Sequence, residues 1–245
     1  MSAEIVPEDR LRDLEVAEEK RADRGRLDHH FELFEAIILS IAAVLAAWTG
    51  FQAAKWSGVQ ANSYSQAGAS RVESTRASTR AGQETTVDVI AFTQWLQAAE
   101  AEGLLTRQAD PNAVYVPDPN VLSGFLYERF RPEFKPAVDA WIATRPRTNA
   151  SAPPTPFAMP EYKVAAAAEA ARLEQRAEEQ SAAARQANQR SDNYVLMTIV
   201  FATVLFFAGI SSKMDTFRAR TLLLGVGTTL LVGAVIVVLT FPKEV

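Results

Sequence analysis

Apolar residues are gathered into three blocks along the chain: AIILSIAAVLAAWTGFQAA (36–54), YVLMTIVFATVLFFAGISS (194–212) and TLLLGVGTTLLVGAVIVVLTF (221–241). None contains a charge. At ~1.5 Å of helical rise per residue each is long enough to cross the ~30 Å hydrocarbon layer of a bilayer. The pattern predicts an all-α membrane protein with transmembrane helices over 31–54, 193–212 and 221–241, embedded in membrane lipid.

Between the first two blocks the pattern changes. Ten of the twelve prolines fall between Pro111 and Pro160, and none lies in 55–105 or 161–192. Those two stretches, the second built almost wholly from strong helix formers, are expected to carry the first two spans outward as an antiparallel helical stalk. Residues 106–160 then form a Pro-rich helical cap and connector. Within it, ADPNAVYVPDPN reads as a turn-rich loop, and short amphipathic helices are expected near 120–131 and 134–145.

Spacing picks out a packing face on each arm. On the first, Ser40, Ala43, Ala47, Gly50, Ala54, Gly58, Ala61, Ser65 and Gly68 recur at steps of three and four. On the second, Ala166, Ala170, Leu173, Ala177, Gln180, Ala184, Ala187, Ser191 and Tyr194 do the same. Small side chains let backbones approach closely, which is how helices associate in lipid. The arms are expected to pack with each other or with neighbouring subunits. The charged positions Arg71 with Glu178, Glu73 with Arg176 and Arg80 with Glu169 fit one antiparallel register, which Asp88 opposite Glu161 breaks.

One motif is repeated at the end of the first block: WTGFQA from Trp48 and WSGVQA from Trp56. Eight residues advance a helix by ~12 Å and turn it by ~80°, so the two copies lie at different depths and on different faces. Trp48, Trp56 and Tyr194 are expected at the headgroup level, with the glycines allowing close approach and Gln52 and Gln60 hydrogen-bonding where hydrocarbon ends. The alternative makes Gln52 and Gln60 part of a polar lining.

Charge sets the orientation. Arg12, Lys20, Arg21, Arg24 and Arg26 precede the first span, and Lys213, Arg218 and Arg220 lie in the loop 213–220. Lys and Arg mark cytoplasmic ends, so the tail 1–30 and this loop are placed in the cytoplasm, and 55–192 and the tail 242–245 outside it. Residues 1–30, with Leu11 and Leu14 amid heavy charge, read as a short surface helix or as disordered, and disorder is the expectation taken. Nine acidic residues in 1–30 argue against a cleaved signal peptide.

Chemistry is sparse. Between 55 and 192, 15 Lys and Arg offset 16 Asp and Glu, which leaves no basic face for nucleic acid. The chain has no cysteine, and its two histidines both lie in DHHFELFE (28–35). Asp28, His29, Glu32 and Glu35 could be assembled into a metal site, but the spacing matches no known ligand pattern, and acidic residues suit the first turns of a helix. No Gly-rich phosphate loop occurs. The expectation is a protein with no cofactor, no metal and no enzymatic activity.

The runs EAIILSIAAVLAAWTGFQAAKWSGVQANSYSQAGASR and SDNYVLMTIVFATVLFFAGISSK, with the third span, resemble an uncharacterised family of three-span bacterial inner-membrane proteins with a helical extracytoplasmic domain. The resemblance implies that location and no activity. Function is therefore expected to be assembly, as a homo-oligomer or as an accessory subunit of an unknown membrane partner. The alternative is a passive channel of several copies, lined by Ser, Thr, Gln and Gly, with Ser40, Gly50, Gln52 and Gly58 facing water.

Overall fold

The computed structural model describes residues 8–107, 116–214 and 216–244, with 8–28 and 106–107 as backbone only. Among the described residues every regular element is helical: α1 (Glu8–Ala101), α2 (Leu104–Arg107), α3 (Leu122–Tyr127), α4 (Lys135–Ala143), a 3-10 turn (Pro156–Ala158), α5 (Ala165–Ser211) and α6 (Phe217–Leu239). Three of them, α1, α5 and α6, are long and apolar enough to cross a membrane.

The chain divides into two compact units, Met1–Ser63 with Ala182–Val245, and Tyr64–Ser181. In the first, α6 buries Leu224, Gly227, Leu231, Ala234 and Val238, a strict alternation of three- and four-residue steps. They join Ile38 and Ala42 of α1 and Met197, Phe201, Val204 and Ala208 of α5 in one core. The outer surfaces are apolar as well: Ile37, Ile41 and Val44 on α1, Leu196, Ile199 and Phe206 on α5, and Leu222, Val232 and Ile236 on α6 are all exposed. Helices apolar on every side suit hydrocarbon rather than water.

The second unit has an aromatic core. Phe134, fully buried, stacks on Phe157 with ring centroids 5.3 Å apart and meets Phe92, Phe130 and Tyr162 edge-on. Trp95 and Trp141 close the cluster. Beside it, the α1 residues Ala67, Ser70, Ser74 and Ala81 are buried, as are Ala166, Ala170, Leu173, Ala177 and Ser181. Two serine hydroxyls tie these helices: Ser74 donates to the Ala170 carbonyl at 2.9 Å and Ser70 to Gln180 Oε1 at 2.9 Å.

Several boundaries move from their sequence expectation. The first thirty residues are helical from Glu8 onward rather than disordered, because Leu, Ala, Glu, Lys and Arg dominate there and favour helix; residues 1–7 lie outside the described residues. Helix α1 stops at Ala101 rather than 105, where Gly103 takes a left-handed conformation (φ 69°) that ends the helix. Helix α3 covers only 122–127 of the expected 120–131, since Pro132 excludes helical geometry at Arg131. Helix α5 begins at Ala165, after Tyr162 has packed into the aromatic core. Helix α6 begins at Phe217, so the expected loop 213–220 is shorter and Arg218 and Arg220 lie in the first turn. Most of the expected turn-rich loop, residues 108–115, lies outside the described residues.

The antiparallel register stands on the pair Arg71–Glu178, 3.7 Å apart. Arg80, however, pairs with Glu84 on its own helix, and Glu169 with Arg172. Asp88 faces the hydroxyl of Tyr162 rather than the carboxylate of Glu161.

Candidate functional site

Between Glu35 and Trp56 helix α1 buries a face other than the small-residue one that sequence spacing selected. Its buried positions are Glu35, Ile38, Ala42, Thr49, Gln52, Ala53 and Trp56. The expected packing residues Ser40, Ala43, Ala47, Ala54, Gly58 and Ala61 are exposed, and Gly50 is half-buried. A Cβ placed on Gly50 or Gly58 would meet nothing within 4 Å, so neither glycine is needed for contacts inside this chain. On α5, in contrast, Ala166, Ala170, Leu173, Ala177, Ala184, Ala187, Ser191 and Tyr194 are all buried, as spacing indicated.

The buried face of α1 carries three polar contacts within the first unit. At one end, the Glu35 carboxylate accepts two hydrogen bonds from the Arg220 guanidinium, at 3.0 and 3.2 Å, and one from Ser211 Oγ at 2.8 Å. The side chains are only 4% and 13% exposed, so the pair draws α1, α5 and α6 together through charges that neither could leave unpaired without a large cost. Arg220 also lies over the Phe31 ring, which meets Phe217 edge-on. In the middle, the Thr49 and Thr198 hydroxyls are 2.9 Å apart, and each also lies within hydrogen-bond distance of a carbonyl of its own helix.

At the other end the repeated motif finds its use. Trp56 Nε1 and Tyr194 Oη both donate to the Pro242 carbonyl, at 3.2 and 3.1 Å. Gln52 makes a reciprocal pair with the Glu244 backbone, its Nε2 donating to the carbonyl (3.1 Å) and its Oε1 accepting from the N–H (3.0 Å). Trp48 and Phe241 meet the Tyr194 ring edge-on, and Arg190 lies over Trp56 at 4.4 Å. Trp56 and Tyr194 therefore direct their polar atoms onto the segment that follows α6. The reason is that α6 ends at Leu239, and carbonyls beyond a helix end need donors. The lining proposed for a channel is also divided, because Gln52 is buried while Ser40 and Gly58 are exposed on another face.

The second unit holds a buried ion pair of its own. Asp88, 1% exposed, accepts Arg131 Nε at 3.0 Å, a second Arg131 nitrogen at 2.7 Å and the Tyr162 hydroxyl at 3.2 Å. Glu84 and Glu133 flank the same guanidinium at 3.2 and 3.5 Å. The hydrogen bond it donates to Asp88 makes Arg131 hold its proton more tightly than usual, and burial raises the Tyr162 phenol above its ordinary range. Nearby, Glu102 accepts the Ser123 N–H at 3.1 Å and its hydroxyl, which caps the start of α3. An open groove of about 450 Å³ is lined by Leu96, Leu105, Trp141, Pro153 and the ion pair Glu100–Arg147.

Of the possible metal ligands, His29, His30 and Glu32 are exposed and Glu35 is committed to Arg220 and Ser211; the Asp28 side chain lies outside the described residues. Among the described residues, no three His, Asp or Glu side chains converge in a way that could hold a metal ion. Sequence reading missed the Glu35–Arg220 pair and the grip on 241–244, and its one visible signal was the Trp/Gln repeat. No known protein family, curated protein or solved structure matches the chain.

Proposed function

We propose that the chain is a non-enzymatic subunit of a bacterial inner-membrane assembly, associating through the small-residue face of α1. The observation that carries this reading is that Ser40, Ala43, Ala47, Ala54, Gly58 and Ala61 stay exposed while α1 satisfies its contacts to α5 and α6 through the opposite face. A face of that composition permits a second backbone to approach closely. In this reading residues 55–192 form a helical stalk and cap outside the cytoplasm, and the amino end lies inside, as the Lys and Arg around the spans favour. The channel reading is weaker, because Gln52 is spent on the Glu244 backbone.

The test is native mass spectrometry of the protein drawn from its own membrane in mild detergent, for the parent and for a Gly50→Leu/Gly58→Leu variant. A defined oligomer or a stoichiometric partner that dissociates in the variant supports the reading. A parent that is monomeric and alone, or a variant that assembles normally, overturns it.

A further inference from the structure

The grip on residues 241–244 has the chemistry of peptide recognition. Three side chains from two helices, Gln52, Trp56 and Tyr194, are 4%, 5% and 0% exposed. Each points a polar atom at the segment, and all four hydrogen bonds end on its main chain: two on the Pro242 carbonyl, one on the Glu244 carbonyl and one on the Glu244 N–H. Gln52 thus holds a backbone N–H and C=O with one side-chain amide, and affinity that rests on hydrogen bonds to the main chain is a recurring mode of peptide recognition.

What the site reads in side chains is narrow. Phe241 lies edge-on to Tyr194 with ring centroids 5.3 Å apart. Pro242 has no N–H to satisfy, fixes its own backbone angle and presents a carbonyl that two donors share. Lys243 and Pro242 are exposed, and the Lys243 ammonium lies 5.9 Å from the centre of the Trp48 ring. Glu244 also forms one wall of a groove of about 460 Å³ whose other walls are Phe51, Ala54, Lys55, Gly58, Val59 and Asn62. A peptide continuing past the fourth position would run into that groove.

We propose that Trp48, Gln52, Trp56 and Tyr194 form a recognition site for an extended aromatic–proline peptide. The chain's own residues 241–244 occupy it as a resident ligand, and a partner protein with such a segment docks by exchanging with them. Because the hydrogen bonds fall on main-chain atoms, the resident has no privilege over another segment of the same pattern except its tether. Such a tether amounts to an effective concentration in the millimolar range. The four donor and ring positions lie off the outer face of α1, whereas the groove beyond Glu244 shares Ala54 and Gly58 with it.

The chain has no cysteine, so Lys243→Cys gives one nitroxide-label site in the full-length protein. The probe is the acetylated, amidated peptide Thr-Phe-Pro-Lys-Glu-Val. Expected are an immobilised label in detergent, release by the peptide that saturates, and no release by a peptide with alanine in place of Phe and Pro. In a Phe241→Ala background the half-saturating concentration should fall by roughly tenfold, since the resident loses its ring contact. A label already mobile without peptide, or one the peptide never releases in that background, overturns the proposal. Should Phe241→Ala fail to fold, the parent is cross-linked with the peptide carrying benzophenone in place of the Phe ring. Adducts confined to α1 and α5 around Trp48, Gln52 and Tyr194 support the site, and adducts elsewhere or none overturn it.

Discussion

The two units are held together by different kinds of contact. In Tyr64–Ser181 a cluster of rings fills the centre; in the unit built from 1–63 and 182–245 the main core is mostly aliphatic around Phe201, with Trp56 and Tyr194 in a cluster at one end, and the distinctive contacts are polar ones at Glu35, Thr49 and Gln52. The difference follows from surroundings. Where a helix is apolar on every side, burying more apolar area distinguishes no face from another, so a few hydrogen bonds and one ion pair select the arrangement. Where the surface is charged, the rings have only one place to go.

The sharpest break of this contrast is Phe134→Ala, which removes a fully buried ring that four others touch. It should cost about 3–5 kcal/mol, with amide exchange rising in 64–181 and unchanged around α6. Next come the two ion pairs. Arg220→Met strands the Glu35 carboxylate and should cost about 3 kcal/mol, loosening α6 in hydrogen exchange, with recovery in the double variant Glu35→Leu/Arg220→Met. Arg131→Met should cost less, about 2 kcal/mol, because Arg131 is 22% exposed and Tyr162 still donates to Asp88. Gly124→Ala comes next, since its new Cβ would lie 1.9 Å from the Asp118 carbonyl oxygen. The turn 118–121 must shift, at about 1–3 kcal/mol, read by chemical unfolding of the aromatic unit.

The smallest effect is alkaline. Below the ordinary phenol pKa of about 10, Tyr162 is protonated folded or unfolded. Above it the unfolded chain loses the proton first, because burial raises the folded value, so stability falls as pH climbs through about 10. Urea unfolding on either side of that pH should show the slope, and Tyr162→Phe should flatten it.

The helices and the three apolar spans were legible in the sequence because their signals are local. The α5 face was legible too, since Ala170, Ala177, Ala184 and Ser191 stand against a charged opposite side. On α1 the same reasoning selected the wrong face for internal contacts. The small-residue face there is the exposed one, and the buried face carries Glu35, Thr49 and Gln52, residues that look like a solvated side. Their partners are far along the chain: Arg220 lies 185 positions from Glu35, and Glu244 lies 192 from Gln52. The grip on 241–244 had still less signal, because a contact to backbone atoms leaves no mark on the residue type that is held.

The seam between α1 and α5 in the aromatic unit has a mechanical consequence. Apart from Leu173 the buried side chains here are small and of nearly equal size: Ala67, Ser70, Ser74 and Ala81 on α1, Ala166, Ala170, Ala177 and Ser181 on α5. A large knob in a hole resists sliding by steric interlock; a row of near-identical small bumps does not. Axial load along this pair is borne by a few pins, the Leu173 side chain, the hydroxyls of Ser70 and Ser74, and the bonds of Arg71 to Ser181 and Glu178. Once those give way, the helices can shift past one another with little change in packing, as a rail guides a carriage without gripping it.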